Sequence, residues 1–534
     1  MKDWKKILPL IIRGGELLIL AALVFAVVYF IPDPGRQPAS QTAGQKEETD
    51  IYETEQAGSG QEEIPQTDAA QGESASVTED SDRKYSAGKK SQEKEEEVPE
   101  EEIKGPPVLF LATDIHYQSP EMTDYRSAFD NFVQWSDGTI VPYLDAITDA
   151  FLEEVVRERP SALILSGDIS QNGERKNHEA LAEKLHRVQE SGIPVLVIPG
   201  NHDINHPWAA TYFDGKTETA EGTAPEDFYE IYHEFGYDGA SSRDQGSLSY
   251  VYRIDDRYWV MMLDSCIYEP VHETGGRIRT ETLEWMRAQL EEAAAAGATI
   301  IPVAHHNLLK ESTLYPEECT LENGTEVTEL LEEYKIPVYL SGHLHLQRIK
   351  KHVNGPSSED GYGIYEIVTS PLTMSPCQYS VLEWQEDGSL VYHTQKVDVE
   401  NWALRYGEED ENLLNFSAYA DEFLIKTVAN QAFMGLETIP EERKQQMAEL
   451  YGRLNRDYCS GKKISAGEIK KTEAYLYWER YGGTGVWADR LEAILNDTKR
   501  DHTFLSLTAG EDFPGTPGEN EETQADVEPT SEDR

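Results

Sequence analysis

Five short apolar runs, each ending directly before a cluster of polar side chains, constrain this chain more than any other feature of it. The runs are Val108 to Ala112, Ala162 to Leu165, Val195 to Ile198, Ile300 to Ala304 and Val338 to Leu340. Each is nearly continuous in apolar residues, the pattern of a strand buried on both faces. In order they precede Asp114-x-His116, Gly167-Asp168, Gly200-Asn201-His202-Asp203, His305 and Gly342-His343-Leu344-His345. In open α/β sheets ligands gather beyond the carboxyl ends of the strands, so five such units converge on one pocket. The expected fold class is α/β.

Every motif contributes Asp, Asn or His, whose oxygen and imidazole donors suit Zn, Fe, Mn and related divalent ions. A lone Asp-x-His is weak evidence, because isolated histidines are more often satisfied structural residues. Five motifs in one order, each at a strand end, make a ligand set.

These motifs resemble the calcineurin-like metallophosphoesterase superfamily, whose pattern is D-x-H, GD, GNH[DE], H and GHxH. The resemblance runs from Pro107 to Thr394 and implies a four-layer αββα sandwich of two mixed sheets flanked by helices, with two divalent metal ions such as Mn, Fe or Zn. Carried over residue by residue, it implies that Asp114, His116, Asp168 and His345 hold one metal and Asp168, Asn201, His305 and His343 the other. Chemistry leads the same way. Two cations about 3.5–4 Å apart activate a bridging water and clamp the attacking and leaving oxygens of an in-line displacement. Holding them that close needs a shared anion, and Asp168 is the candidate. With Asn201 in the metal position, the His202 imidazole is free to protonate a leaving alkoxide or stabilise phosphoryl charge. Asp203 is expected to orient and charge that ring. His306, next along an extended strand, should point away from the pocket that His305 faces.

One departure narrows the resemblance. Purple acid phosphatases carry a metal-binding Tyr three residues after the bridging Asp and lack the first-motif His; here Gln171 and His116 stand at those positions. The run Gly167-Asp168-Ile169-Ser170-Gln171-Asn172-Gly173-Glu174 instead resembles bacterial class III cyclic-nucleotide phosphodiesterases. That implies hydrolysis of phosphodiester bonds in small, cyclic nucleotides. Alternatives within the enzyme class are a broad phosphomonoesterase or a hydrolase of envelope phosphate esters. Outside it stands a surface binding protein on a dead scaffold, which would lack ligands that are all present here.

Around this core the chain divides into five parts. Lys2, Lys5, Lys6 and Arg13 precede the apolar run Leu17 to Ile31, and acidic sequence follows. Residues 1–32 therefore read as a membrane anchor with the remainder outside the cytoplasm, a cleaved signal sequence being the competitor. A span needs about 20 residues, so Arg13 and Glu16 would have to snorkel at the interface. Residues 33–104 are acidic and poor in large apolar residues, and are expected to stay disordered as a stalk. Residues 105–397 form the catalytic domain. Residues 398–507 show apolar spacing for about four helices between Ala418 and Asn496, a layout resembling surface cyclic-nucleotide phosphodiesterases with a helical C-terminal domain. Residues 508–534 form an acidic tail.

The net charge of −52 over 534 residues argues against binding polymeric nucleic acid by phosphate neutralisation. The expected partners are a small phosphate-ester substrate and, through the N-terminal segment, a membrane; nothing in the sequence sets an oligomeric state. Within the catalytic domain, residues 117–140 form a long connection whose Tyr117, Tyr125, Phe129 and Trp135 either stack on a base or form a local apolar cluster. Ser249 to Ile254 and Trp259 to Leu263 read as a hairpin, and Thr280 as the N-cap of a helix with Leu283, Met286 and Leu290 buried. The four cysteines, 266, 319, 377 and 459, show no disulfide or zinc spacing.

Overall fold

A computed structural model describes residues 105–510 apart from 135, 311, 313–318, 353–361, 437–438 and 483–485. The expected anchor, the stalk, nearly all of the tail and Trp135 lie outside the described residues. Among the described residues no helix is long and apolar enough to cross a membrane.

The strands in chain order are β1 (Val108–Ala112), β2 (Ala162–Ser166), β3 (Val195–Ile198), β4 (Ala210–Phe213), β5 (Lys216–Thr219), β6 (Ser242–Arg243), β7 (Tyr250–Arg253), β8 (Tyr258–Leu263), β9 (Thr299–Ala304), β10 (Val338–Ser341), β11 (Arg348–His352), β12 (Ile364–Val368), β13 (Gln378–Trp384), β14 (Leu390–Lys396) and β15 (Phe504–Leu507). One sheet runs β15-β14-β13-β1-β2-β3 and the other β11-β12-β10-β9-β8-β7-β6, with β4 and β5 as a separate hairpin. Both large sheets are mixed. The motif-bearing strands pair parallel, β1 with β2 and β2 with β3 in the first, β9 with β10 in the second. All five carboxyl ends therefore open within their sheets on the same edge.

Side-chain alternation builds the layers. Along β8, Val260 and Met262 enter the large core that also holds Leu111, Ile164 and Val197 of the first sheet. Trp259, Met261 and Leu263 point the other way, toward Met286 and Leu290 of the Thr280–Ala296 helix and Val327 and Leu331 of the Gly324–Glu333 helix. The same period of two separates Ile301 and Val303 of β9 from Ile300 and Ala304. Against the first sheet lie the Leu144–Glu158 helix, through Ile147, Phe151 and Val155, and the Arg175–Glu190 helix, through Leu181, Leu185 and Val188. Each fully buried Leu, Ile or Phe contributes roughly 1.5–3 kcal/mol, so a one-residue slip in register, which would turn a whole face to solvent, is strongly disfavoured. The result is the expected αββα sandwich.

Three expectations need adjusting. The connection over 117–140 contains the Ser127–Gln134 helix, which packs Ala128 and Phe129 on Tyr212 of β4; tertiary contact stabilises what the local pattern did not announce. Thr280 is already helical, so the cap position falls on Arg279, which makes no side-chain cap. The C-terminal stretch is not wholly helical: β15 adds an antiparallel strand to β14, and Val399, Ala403, Leu413 and Phe416 join the main core. The remaining helices, led by Phe416–Gly435 and Glu441–Cys459, form a second apolar cluster around Leu424, Val428, Met447 and Leu454. Cys266, Cys377 and Cys459 are buried free thiols.

Candidate metal centre

The five motifs lie where their strands end, and the backbone there is held in an unusual shape. Asp114, His116, Asp168, His343 and His345 all have left-handed φ values between 47° and 72°, a conformation that costs a non-glycine residue roughly 1–3 kcal/mol and persists only where the surroundings over-determine it. Asp114 N–H donates to Gly167 O and His116 N–H to Asp168 O, at 3.0 and 2.9 Å, locking the first two motifs together. The glycines serve close approach. A Cβ on Gly200 would stand 2.3 Å from Asp168 Oδ1, and one on Gly342 would stand 2.1 Å from Thr113 Oγ1. Neither position has room for a side chain.

Two ligand clusters result, Asp114 with His116 and His345, and Asp168 with His305 and His343, the candidate ligand atoms of each lying within 4.8 Å of one another. In the first, His116 Nε2 lies 3.1 Å from His345 Nε2, and His345 Nε2 lies 3.4 Å from Asp114 Oδ1. His345 Nδ1 faces Asp137 Oδ2 at 2.7 Å. A carboxylate only accepts, so Nδ1 carries a proton and Nε2 is the nitrogen turned to the cluster; against burial, the Asp137 and Asp114 carboxylates hold this ring well above its ordinary pKa. Asp114 Oδ1 and His116 Nδ1 are buried with no hydrogen bond among the described residues. In the second cluster His305 Nδ1 faces the Ser166 carbonyl at 3.0 Å, leaving its Nε2 3.2 Å from each of Asp168 Oδ2, Asn201 Oδ1 and His343 Nδ1. The converging nitrogen and oxygen atoms, with the unpartnered buried Asp114 Oδ1 among them, fit a divalent cation such as Zn, Mn or Fe. Asp168 Oδ2 is also 4.0 Å from His116 Nε2, between the two clusters.

Charge follows geometry. Burial alone would raise the Asp168 carboxyl, but His305, His202 and His116 outweigh it and hold it well below its ordinary value. Burial and the nearby His202 ring push His116 down to about 4. Burial, with His306 and His305 beside it, likewise lowers His343. His305 goes the other way: against burial, the Asp168 charge raises it to about 9.

His202 stands at the edge of this pocket, its ring 4.9 Å from that of His116 in an edge-on arrangement. Its N–H donates to Asp168 Oδ1 at 2.7 Å, and its Nδ1 lies 3.0 Å from both Gln171 O and Asn172 Oδ1. The Gln171 carbonyl can only accept, so Nδ1 is the protonated nitrogen and Nε2 is left for a substrate. Asp203 does not orient His202. Fully buried, it accepts from the N–H groups of Gly200, Ser170 and Ile169 and from the Ser170 hydroxyl, at 2.7 to 3.2 Å. It thereby ties the Asp168 loop to the Gly200 loop. Burial and then the Asp168 charge push it up to about 7. The physical reason is direction: the turn at 200–203 points Asp203 inward and His202 outward, so adjacency in sequence does not become contact.

Sequence reasoning missed Asp137. It lies in a Ser-Asp-Gly-Thr stretch that reads as an ordinary turn, some 200 residues from His345. It also missed Glu366, whose buried carboxylate accepts from Leu308 N, Leu309 N and Ser341 Oγ and so fixes the chain just after His305. His306 turns to Ser265 Oγ and Thr274 O. Of the loop aromatics, Tyr117 is buried with its hydroxyl on Asp145 Oδ1, Phe129 is buried in the cluster with Tyr212, and Tyr125 is exposed. Further along, His206 stacks on His202 at 4.6 Å and meets Trp208 edge-on at 5.4 Å.

A mixed-sheet sandwich with this constellation at its strand ends defines a metallophosphoesterase, a hydrolase of phosphate esters. More particularly, residues 108–347 match the calcineurin-like phosphoesterase family, and residues 398–501 match the C-terminal domain of cyclic nucleotide phosphodiesterase; the chain carries both domains. It is 25% identical over 250 residues to the "Probable cyclic nucleotide phosphodiesterase" of Synechococcus sp., covering 45% of this chain and 79% of that protein. A protein of the same description from Xenorhabdus bovienii is 25% identical over 36% of this chain and 64% of its own length. The glycerophosphodiester phosphodiesterase GpdQ of Enterobacter lignolyticus is 26% identical, over 36% of this chain and 58% of its own. The chain thus spans less than two thirds of the last two relatives.

Proposed function

We propose that this chain is a two-metal phosphodiesterase acting on small nucleotides, cyclic ones foremost. The observation that carries the proposal is the position of Asp168 between two ligand clusters, each built from nitrogen and oxygen ligand atoms that face one another. Asp114, His116 and His345 would hold one divalent ion, and Asn201, His305 and His343 the other, with Asp168 shared. When bound, such a pair supplies Lewis-acid charge that activates water and neutralises the phosphoryl oxygens.

The protein's own groups do the rest. His202 presents Nε2 toward the pocket while Gln171 and Asn172 hold the opposite nitrogen. In its protonated form it gives a proton to the leaving alkoxide. Its backbone N–H, on Asp168 Oδ1, keeps that carboxylate turned toward the ligand clusters. The rings of His202, His206 and Trp208 run outward from the centre, and Trp208 is half exposed, a surface on which a base can stack. The relatives' descriptions and the matched C-terminal domain support the nucleotide reading; the glycerophosphodiester-cleaving relative keeps that substrate class in the comparison.

We extend the proposal to location. The cationic flank before Leu17 to Ile31 and the acidic flank after it support an N-terminal anchor with the enzyme domain facing outward.

The test is turnover by metal-stripped, Mn-reloaded protein on 2′,3′- and 3′,5′-cyclic AMP, glycerophosphocholine and AMP in parallel. Consumption of a cyclic nucleotide faster than AMP supports the proposal. Faster hydrolysis of AMP would move the chain to phosphomonoesterase chemistry.

A further inference from the structure

The His345 imidazole is gripped from two directions, and both grips trace back to the helical C-terminal region. Leu344 lies between the two histidines of its motif. Its side chain is buried and belongs not to the core between the sheets but to the cluster of Leu424, Val428, Met447, Leu454 and Tyr458. Two residues beyond His345, Gln347 N–H donates to Cys459 O at 2.8 Å, at the end of the Glu441–Cys459 helix. The His343–His345 loop is therefore pinned to the helices by an apolar side chain and a backbone hydrogen bond.

The second grip is Asp137. Its carboxylate lies 2.7 Å from His345 Nδ1 and sets which nitrogen faces the ligand cluster. Asp137 is itself placed by the next residue. Gly138 has φ 115°, and a Cβ there would stand 2.4 Å from Leu424 Cδ1. Leu424 sits on the Phe416–Gly435 helix, so that helix presses on the loop carrying Asp137. The loop is anchored besides by Thr139 pairing with Met374, and Met374 belongs to the same helical cluster. Next to it Ser375 Oγ donates to Asp421 Oδ1 at 2.5 Å, again on that helix.

We infer that the C-terminal helices are a positioning element of the metal centre: through Leu344 on one side and Leu424, Gly138 and Asp137 on the other, they hold His345 in its ligand geometry. The inference rests on the metal-centre reading above. Leu424 and Asp137 are positioning residues that act through His345. Carboxylate partners of ligating histidines are typically worth about 10- to 100-fold in metal affinity. A helix that merely stabilised the fold would move the melting temperature and leave affinity alone.

The experiment is titration of the metal-stripped full chain with Mn²⁺ by calorimetry, for the wild type, Asp137→Ala, Leu424→Ala and Leu424→Met, with the melting temperature of each stripped protein measured beside it. The expected result is two tight ions in the wild type. In Asp137→Ala and Leu424→Ala, one of the two should weaken by about 10-fold or more while the other stays tight, and Leu424→Met should restore both. The Asp137 side chain is half exposed and belongs to none of the apolar clusters, so its variant tests the idea without opening the helical packing. Two tight sites of wild-type affinity in both alanine variants would overturn the inference, whatever their melting temperatures. A wild type that binds no tight pair would overturn the metal-centre reading, and this inference with it.

Discussion

His305 Nδ1 lies 3.0 Å from the carbonyl oxygen of Ser166, the last residue of β2, and this contact decides how the second ligand cluster works. A carbonyl cannot donate, so Nδ1 carries a proton there and Nε2 is the nitrogen turned on Asp168, Asn201 and His343, where a bound cation would take the place of a second proton. Asp168, two residues after Ser166, is thus faced by a ring that its own strand orients.

Asp168→Asn tests the shared ligand. Removing the anion between the clusters should strip both ions and lower diester turnover together. Metal charge is worth several kcal/mol, and a loss of ~4 kcal/mol corresponds to about 10³-fold in rate. Metal content by mass spectrometry alongside kinetics checks this; full metal content with normal turnover would exclude the assigned centre.

His202→Ala should retain its metals and lose roughly 10²–10⁴-fold in kcat on substrates with poor leaving groups. Bis-nitrophenyl phosphate, whose leaving group needs no proton, should suffer much less. Equal losses on both would argue against proton donation by this ring.

Asp203→Ala should act on the fold first. Four donors lose their acceptor, each unsatisfied one costing about 1–3 kcal/mol where water cannot replace it. The variant should melt well below the wild type, as differential scanning fluorimetry would record. A stable variant with a selective kcat defect would return Asp203 to the chemistry.

His178 offers a pH dependence apart from the ligand clusters. It is buried between Tyr232 Oη and Asp203 O, at 3.0 Å from each, and burial lowers it from 6.5 to about 4. The unfolded chain therefore takes up its proton first as pH falls. Stability is unaffected by this group above about 6.5 and declines between 6.5 and 4, by at most ~3 kcal/mol. Urea denaturation of His178→Gln should show a shallower decline over that window; an unchanged slope would mean the ring does not bury neutral.

Much of this molecule could be read before it was seen, because its constraints are local. Each ligand follows a strand whose residues are apolar on both faces, so position and chemistry sit within a few residues of each other. What escaped involves directions and long separations. Asp203 follows His202 in sequence, yet the turn sends the two side chains opposite ways. Asp137 meets His345 only because two loops converge, and no spacing in the chain encodes that. Leu344 looks like filler between two histidines, but its partners lie on helices about 80 to 110 residues downstream. The strand at Phe504–Leu507 followed a helical run, and only the free edge of β14 explains its pairing.

The most direct measurement is anomalous diffraction at the Mn edge from crystals of the Mn-loaded protein. Two peaks are predicted, one among Asp114, His116 and His345 and one among Asn201, His305 and His343, with Asp168 touching both. A single peak, or peaks away from these side chains, would contradict the two-metal centre.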